Sequence, residues 1–111
     1  MLKQPEEYLK HILDEIDFIL NSSKEITEDK FMRDETLQRA YSRSLEIIGE
    51  ATKQLSKEFT GKHPQIDWIL MAGMRDKLIH HYFGVDFAIV WDVIKNEIPK
   101  LKPQIQNLIK P

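Results

Sequence analysis

The chain has 111 residues, 41% of them hydrophobic and 31% charged, the size of one domain with enough apolar side chains for a single core. The absence of cysteine excludes disulfides, thiolate metal sites and cysteine nucleophiles, and fits a reducing, cytoplasmic setting. A formal net charge of −2 provides no broad basic face for sequence-independent duplex binding, so a nucleic acid must meet a local positive site or one shared between subunits.

The opening residues Met1 to Glu7 lack a basic segment followed by an apolar run, so no secretory signal is expected. No stretch approaches the roughly 20 apolar residues of a membrane span. From about Glu6 to Asn21, residues Leu9, Ile12, Leu13, Ile16, Ile19 and Leu20 recur at steps of three and four, one face of an amphipathic helix. Glu6 and Glu7 favour the positive end of its dipole, and Asn21-Ser22-Ser23 breaks it.

Thr27, followed by Glu28-Asp29-Lys30, has the pattern of an N-cap with acidic residues in the first turn. A bend is expected around Arg33-Asp34, and the charged run from Lys24 to Asp34 reads as a solvated face. Beyond the bend, Leu37, Tyr41, Leu45, Ile48, Ala51, Leu55 and Phe59 keep helical spacing in one long central helix, ended by Gly61 and Pro64.

A third long helix is expected from about Gln65 to Tyr82, with Ile66, Ile69 and Leu70 apolar at its start and Gly84 closing it. Asp86 can cap a last helix whose stripe is Phe87, Val90, Ile94, Ile98, Leu101, Ile105 and Leu108. Pro99 lacks a donor and clashes with the preceding turn, which predicts a kink or break near Glu97-Ile98 and a short terminal helix after it. No segment alternates with period two. The expected fold is an all-α, antiparallel bundle of four to five helices in a single domain spanning residues 1–111.

Chemistry-bearing residues crowd the end of the third long helix: Arg75, Asp76, Lys77, His80, His81 and Tyr82. At about 100° per residue, Arg75, Leu78, Ile79 and Tyr82 share one face, and Asp76 and His80 share the next. An Asp one turn before a His can accept its ring N–H and raise its basicity. Arg75 offers a fork of donors suited to phosphate, and His80 can move protons near neutral pH. That pair suffices to cleave RNA without metal, because the 2′-OH is itself the nucleophile and only its proton and the phosphorane charge need handling. On spacing alone, a solvated helix end with an Asp–His contact explains the same residues.

The stretch Met71-Ala72-Gly73-Met74-Arg75-Asp76-Lys77-Leu78-Ile79-His80-His81-Tyr82-Phe83-Gly84-Val85-Asp86 resembles the signature of HepT-like proteins, a branch of the HEPN superfamily. Their motif is Arg, four residues, His, one residue, Tyr, and Arg75, His80 and Tyr82 match it in order. Gln38-Arg39-Ala40, Ile47-Ile48-Gly49-Glu50-Ala51, and the segment from Trp91-Asp92 through Pro99-Lys100-Leu101 resemble the family's long helix and last helices. Asp76 stands where many relatives carry Asn; either can hydrogen-bond one turn on.

The resemblance implies a metal-independent ribonuclease without cofactor, the toxin of a two-gene toxin–antitoxin module. It implies a homodimer with two motifs facing a shared cleft, and a minimal nucleotidyltransferase as antitoxin partner. That partner can transfer AMP to the motif tyrosine, here Tyr82, placing bulk and negative charge beside Arg75 and His80. Two copies of Arg75 and Lys77 at a dyad would concentrate positive potential that the net charge hides. The alternative is a non-catalytic binding partner, or regulatory substrate, of a nucleotidyltransferase.

Other residues carry two readings. Arg39 and Arg43 can line an RNA path or pair with Glu35, Glu46 or Glu50 on their own helix. Glu50, beside Gly49, reads as a carboxylate at a tight crossing with Arg75 as its candidate partner. Tyr82 can cap the core with its ring and leave its hydroxyl wet. His81 lies about 100° around the helix from His80, and His11 and His63 are distant, so no metal site is expected. Trp68, Trp91 and the methionines read as core or dimer-contact residues. The helix near Trp68 and the Met71-Ala72-Gly73-Met74 stretch are expected at the dimer contact, because small residues allow close approach.

Overall fold

The computed structural model describes residues 4–80 and 86–109; the side chains of residues 75 and 77–80 lie outside that description. Among the described residues there is no strand. Helix α1 spans Pro5–Ser23, α2 Glu28–Arg33, α3 Glu35–Lys53, α4 Lys57–Gly61 and α5 Trp68–His80. Helix α6, Phe87–Asp92, runs through a π-helical turn at Val93–Glu97 into α7, Ile98–Ile109. Helix α3 packs on α1 and α5, and α1 packs in turn on α7. The result is the expected helical bundle.

The apolar stripes read from the sequence form its centre. Leu9, Ile12, Ile16 and Ile19 of α1 meet Tyr41, Leu45, Ile48 and Ala51 of α3, and Ile94, Ile98, Leu101 and Ile105 close the other side, all buried. Polar ties reinforce the seams. Lys102 pairs with Asp17 at 3.0 Å, joining α7 to α1. Lys95 lies 4.9 Å over the Trp91 ring and donates to the Ser23 carbonyl at 3.2 Å.

Three boundaries differ from the periodicity. The long central helix does not reach Phe59: α3 ends at Lys53, and the Ser56 hydroxyl caps α4 by accepting from the Phe59 N–H at 3.0 Å. A serine side chain that competes for backbone donors restarts the helix, while Leu55 stays buried across the break. The third long helix starts at Trp68 rather than Gln65, because Asp67 accepts from the Leu70 N–H at 2.9 Å and serves as its cap. The irregularity expected before Pro99 is the π-turn. There the Ile98 N–H reaches back five residues to the Val93 carbonyl, so the turn widens ahead of the ring and the helix runs on to Ile109.

The charged run from Lys24 to Asp34 is only partly a solvated face. Thr27 caps α2 as expected, accepting from the Lys30 N–H at 3.1 Å. Phe31, inside the run, is fully buried and stacks between Tyr41 at 5.7 Å and Trp91 at 5.2 Å. One aromatic anchor therefore docks α2 against α3 and α6. Asp34 ends α2 and begins α3, its carboxylate accepting from the Leu37 N–H at 3.1 Å. That N–H first, and the neighbouring Lys30 ammonium next, hold the Asp34 carboxyl below its ordinary pKa.

A candidate active site at the end of the fifth helix

Helix α5 is fixed against α3 by Met71 and Met74, both buried. Those two residues set its rotational phase. Counting about 100° per residue from them, Ile69, Gly73, Asp76 and His80 occupy one row of backbone positions away from the core. Ile69 on this row is 88% exposed, and a Cβ at Gly73 would meet nothing within 4 Å. Of the apolar residues near the helix start, Ile66 and Met71 are buried while Ile69 is not. Arg75 and His80, five residues apart, sit about 140° apart around the axis.

The backbones of Arg75, Asp76, Lys77 and His80 all lie in α5, with His80 its last residue. His81 and Tyr82 lie outside the described residues. Asp76 pairs with Lys53 Nζ at 2.5 Å, across to the last turn of α3. The sequence reading missed this lysine. Nothing local points to it, since it is 23 positions away and becomes a neighbour only through the α3–α5 packing.

The α3 arginines are held by their own helix. Arg39 contacts Glu35 at 2.8 Å, and Arg43 contacts Glu46 at 2.6 Å and Glu50 at 3.7 Å. Glu50 is half exposed with Arg43 as its described partner, and its expected pairing with Arg75 lies outside the described residues. Of the residues read as core or dimer contact, Trp91, Met71 and Met74 are core, so the two methionines of the stretch expected at the dimer contact are buried within their own chain. Met32 is exposed and Trp68 partly buried, its indole N–H donating to the His63 carbonyl at 2.9 Å. Among the described residues, no three His, Asp or Glu side chains gather as a metal-ion cage. No described helix is long and apolar enough to cross a membrane.

The Ribonuclease HepT-like family profile matches residues 12–108, from the first core turn of α1 to the last turn of α7. The chain belongs to this family. A "Putative RNase" of Caldanaerobacter subterraneus subsp. tengcongensis is 50% identical over 109 residues, covering 98% of this chain and 97% of that one. A "Probable ribonuclease HepT" of Thermococcus cleftensis is 44% identical over 110 residues, covering 99% of this chain and all of its own length. A "Putative RNase" of Methanocaldococcus jannaschii is 44% identical over 103 residues, covering 93% of this chain and 85% of its own. No solved structure matches the chain at a significant level. The HepT-like match takes in the whole α5 segment and the residues that follow it. Arg75, His80 and Tyr82 therefore fall inside the shared region rather than in an appended tail.

Proposed function

We propose that this chain is a metal-independent endoribonuclease, the toxin of a HepT-like toxin–antitoxin module, with Arg75 and His80 as its catalytic residues. The observation that carries the reading is the family match over residues 12–108 of a chain bearing Arg75 and His80 in the last turns of α5, with Tyr82 two positions on in the sequence. In the reaction, His80 in its neutral form takes the proton of the ribose 2′-OH, and the freed oxygen attacks the adjacent phosphorus. Arg75 stabilises the charge of the phosphorane. The bond from phosphorus to the 5′-oxygen breaks and that oxygen takes up a proton, leaving a 2′,3′-cyclic phosphate and a 5′-hydroxyl. The base and the acid are a histidine in each of its two states, so two His80 side chains in one cleft fit the chemistry.

The homodimer in this reading uses the outward row of α5. An isoleucine at 88% exposure and an open glycine one turn on invite close approach of a second helix, and the same row runs to His80. Asp76 supports the site, with Lys53 holding its carboxylate. Lys77, Arg39 and Arg43 are candidate RNA contacts, since exposed pairs such as Arg39–Glu35 are weak enough to yield to phosphate. The antitoxin is a minimal nucleotidyltransferase, and AMP on Tyr82 blocks the cleft with a bulky anion.

The test is incubation of the purified protein with tRNA and mRNA in chelator, beside Arg75→Ala and His80→Ala. Cleavage by the parent alone, with cyclic-phosphate ends, is expected; equal RNA decay in all three samples overturns the catalytic assignment. Co-expression with a minimal nucleotidyltransferase should add adenylate to the parent and not to Tyr82→Phe. An unchanged intact mass for the parent removes the modification from the proposal.

A further inference from the structure

A groove of about 390 Å³ opens between α2, the start of α3 and the start of α6. Met32 and Arg33 of α2, Glu35, Gln38, Arg39 and Ser42 of α3, and Phe87 of α6 line it, with Glu35 paired to Arg39. It is an open groove whose volume suits a small organic group. Its walls combine two kinds of chemistry. Met32, 42% exposed, and the partly buried Phe87 ring offer an apolar surface. Arg33 and Arg39 offer two guanidinium groups from neighbouring helices.

Each arginine has a carboxylate partner, Asp29 at 2.7 Å and Glu35 at 2.8 Å. All four side chains are about three-quarters exposed, and pairs in that setting are held weakly enough to be exchanged for a phosphate. Gln38 is more constrained. Its amide donates to the carbonyls of Phe31 and Met32, both at 3.1 Å, so what it has left to offer the groove is its carbonyl oxygen, an acceptor. Ser42 Oγ is buried without a hydrogen-bond partner, an unfavourable state that a polar ligand relieves if the hydroxyl turns to meet it.

We propose that this groove seats one nucleotide of a single-stranded RNA, with the base against Met32 and Phe87 and the flanking phosphates on Arg33 and Arg39. The Gln38 carbonyl accepts from the N–H or amino group that every base carries on its pairing edge, so the site tolerates any sequence. An unpaired base is required, because a duplex hides both that edge and the ring face. The inference rests on the ribonuclease reading and extends it. Phe87 follows His80 by seven residues, which keeps the groove wall within about 25 Å of the motif backbone, a few nucleotides along a strand.

The experiment is fluorescence anisotropy with short 2′-O-methyl RNA oligonucleotides, which lack the nucleophile and so report binding without cleavage. They are presented single-stranded or annealed to their complement, across a salt series. The parent should prefer the single strand. Arg33→Gln and Arg39→Gln should each weaken binding about tenfold at low salt and reduce the slope of log affinity against log salt by about 0.7, the value for one lost single-strand phosphate contact. Phe87→Leu should weaken binding by roughly tenfold with the slope unchanged, as expected for lost stacking. Lys10→Gln, an exposed lysine paired with Glu6 on α1, should change neither. Thermal melts should stay close to the parent for the arginine variants, whose largely exposed side chains make only surface ion pairs. Groove variants that bind like a cleaving parent, or a duplex bound as tightly as the single strand, overturn this inference and leave the ribonuclease reading standing. A parent that neither binds nor cleaves RNA overturns both.

Discussion

Two isoleucines on packed neighbours show how differently α3 and α5 are built: Ile48 is wholly buried, while Ile69 is 88% exposed. Helix α3 sorts its residues cleanly. Its apolar side faces α1 and α5, and its exposed arginines are matched by glutamates one turn away or on the same side. Helix α5 buries Met71 and Met74 but carries Ile69 and Gly73 outward and gathers its polar residues at the C-terminal end. The first helix is complete within one chain and serves as a scaffold. The second has surface that the chain leaves uncovered, and it carries the residues proposed for catalysis.

The sharpest way to break this contrast is to delete the polar end of α5. His80→Ala should lower RNA cleavage by about 10²- to 10⁴-fold, the usual worth of a general acid or base, with no loss of fold by circular dichroism. Cleavage that persists at the parent rate would move catalysis away from α5.

The isoleucine pair gives the next test. Ile48→Ala should cost about 2–5 kcal/mol of unfolding free energy in urea, the transfer loss plus the cavity left in a packed core. Ile69→Glu should stay within about 0.5 kcal/mol of the parent for the monomer, as a surface change does. It should nevertheless shift a dimeric parent toward monomer in light scattering and reduce cleavage, since a carboxylate then sits on the proposed contact. An equal stability loss at the two positions would mean that Ile69 is buried within its own chain.

The same contrast explains what was legible beforehand. The stripes of α1, α3 and α7 are visible because burial on one side of a helix imposes a three-and-four period, and Leu9, Ile48 and Ile105 are core residues as that period requires. Phe31 was not legible, since a single apolar anchor among charges has no period, and its value comes from stacking on Tyr41 and Trp91 from other helices. Ile69 is apolar without being buried, because Met71 and Met74 already set the packed side of α5. At the candidate site, Arg75 and His80 were visible through the motif. Lys53, Gln38 and Phe87 were not, because their roles depend on which helices meet.

Lys53→Met measures how firmly the scaffold holds the site. Its pair with Asp76 is more than a third exposed on both sides, so the stability loss should be no more than about 1 kcal/mol and should shrink with added salt. If Lys53 positions the end of α5, the turnover of the variant should fall while its RNA affinity holds. Loss of affinity with turnover intact would make Lys53 an RNA contact instead.

The smallest effect belongs to the hinge where the scaffold begins. Asp34 caps α3 through the Leu37 N–H, and that bond, with Lys30 beside it, lowers its pKa. A carboxyl whose folded pKa is depressed stabilises the fold at pH above the unfolded value of about 3.9, and that contribution is lost as pH falls through the lowered folded value. Asp34→Asn keeps a capping oxygen but gives up the charge, whereas Asp34→Ala gives up both. Thermal melts should therefore rank the parent, then Asn, then Ala near neutral pH. In acid, protonation removes the charge from the parent, and the parent and Asn curves should converge while Ala stays lower. A gap between parent and Asn that is constant with pH would mean that the cap acts through its geometry alone, and that the charge at the start of α3 contributes nothing to the scaffold.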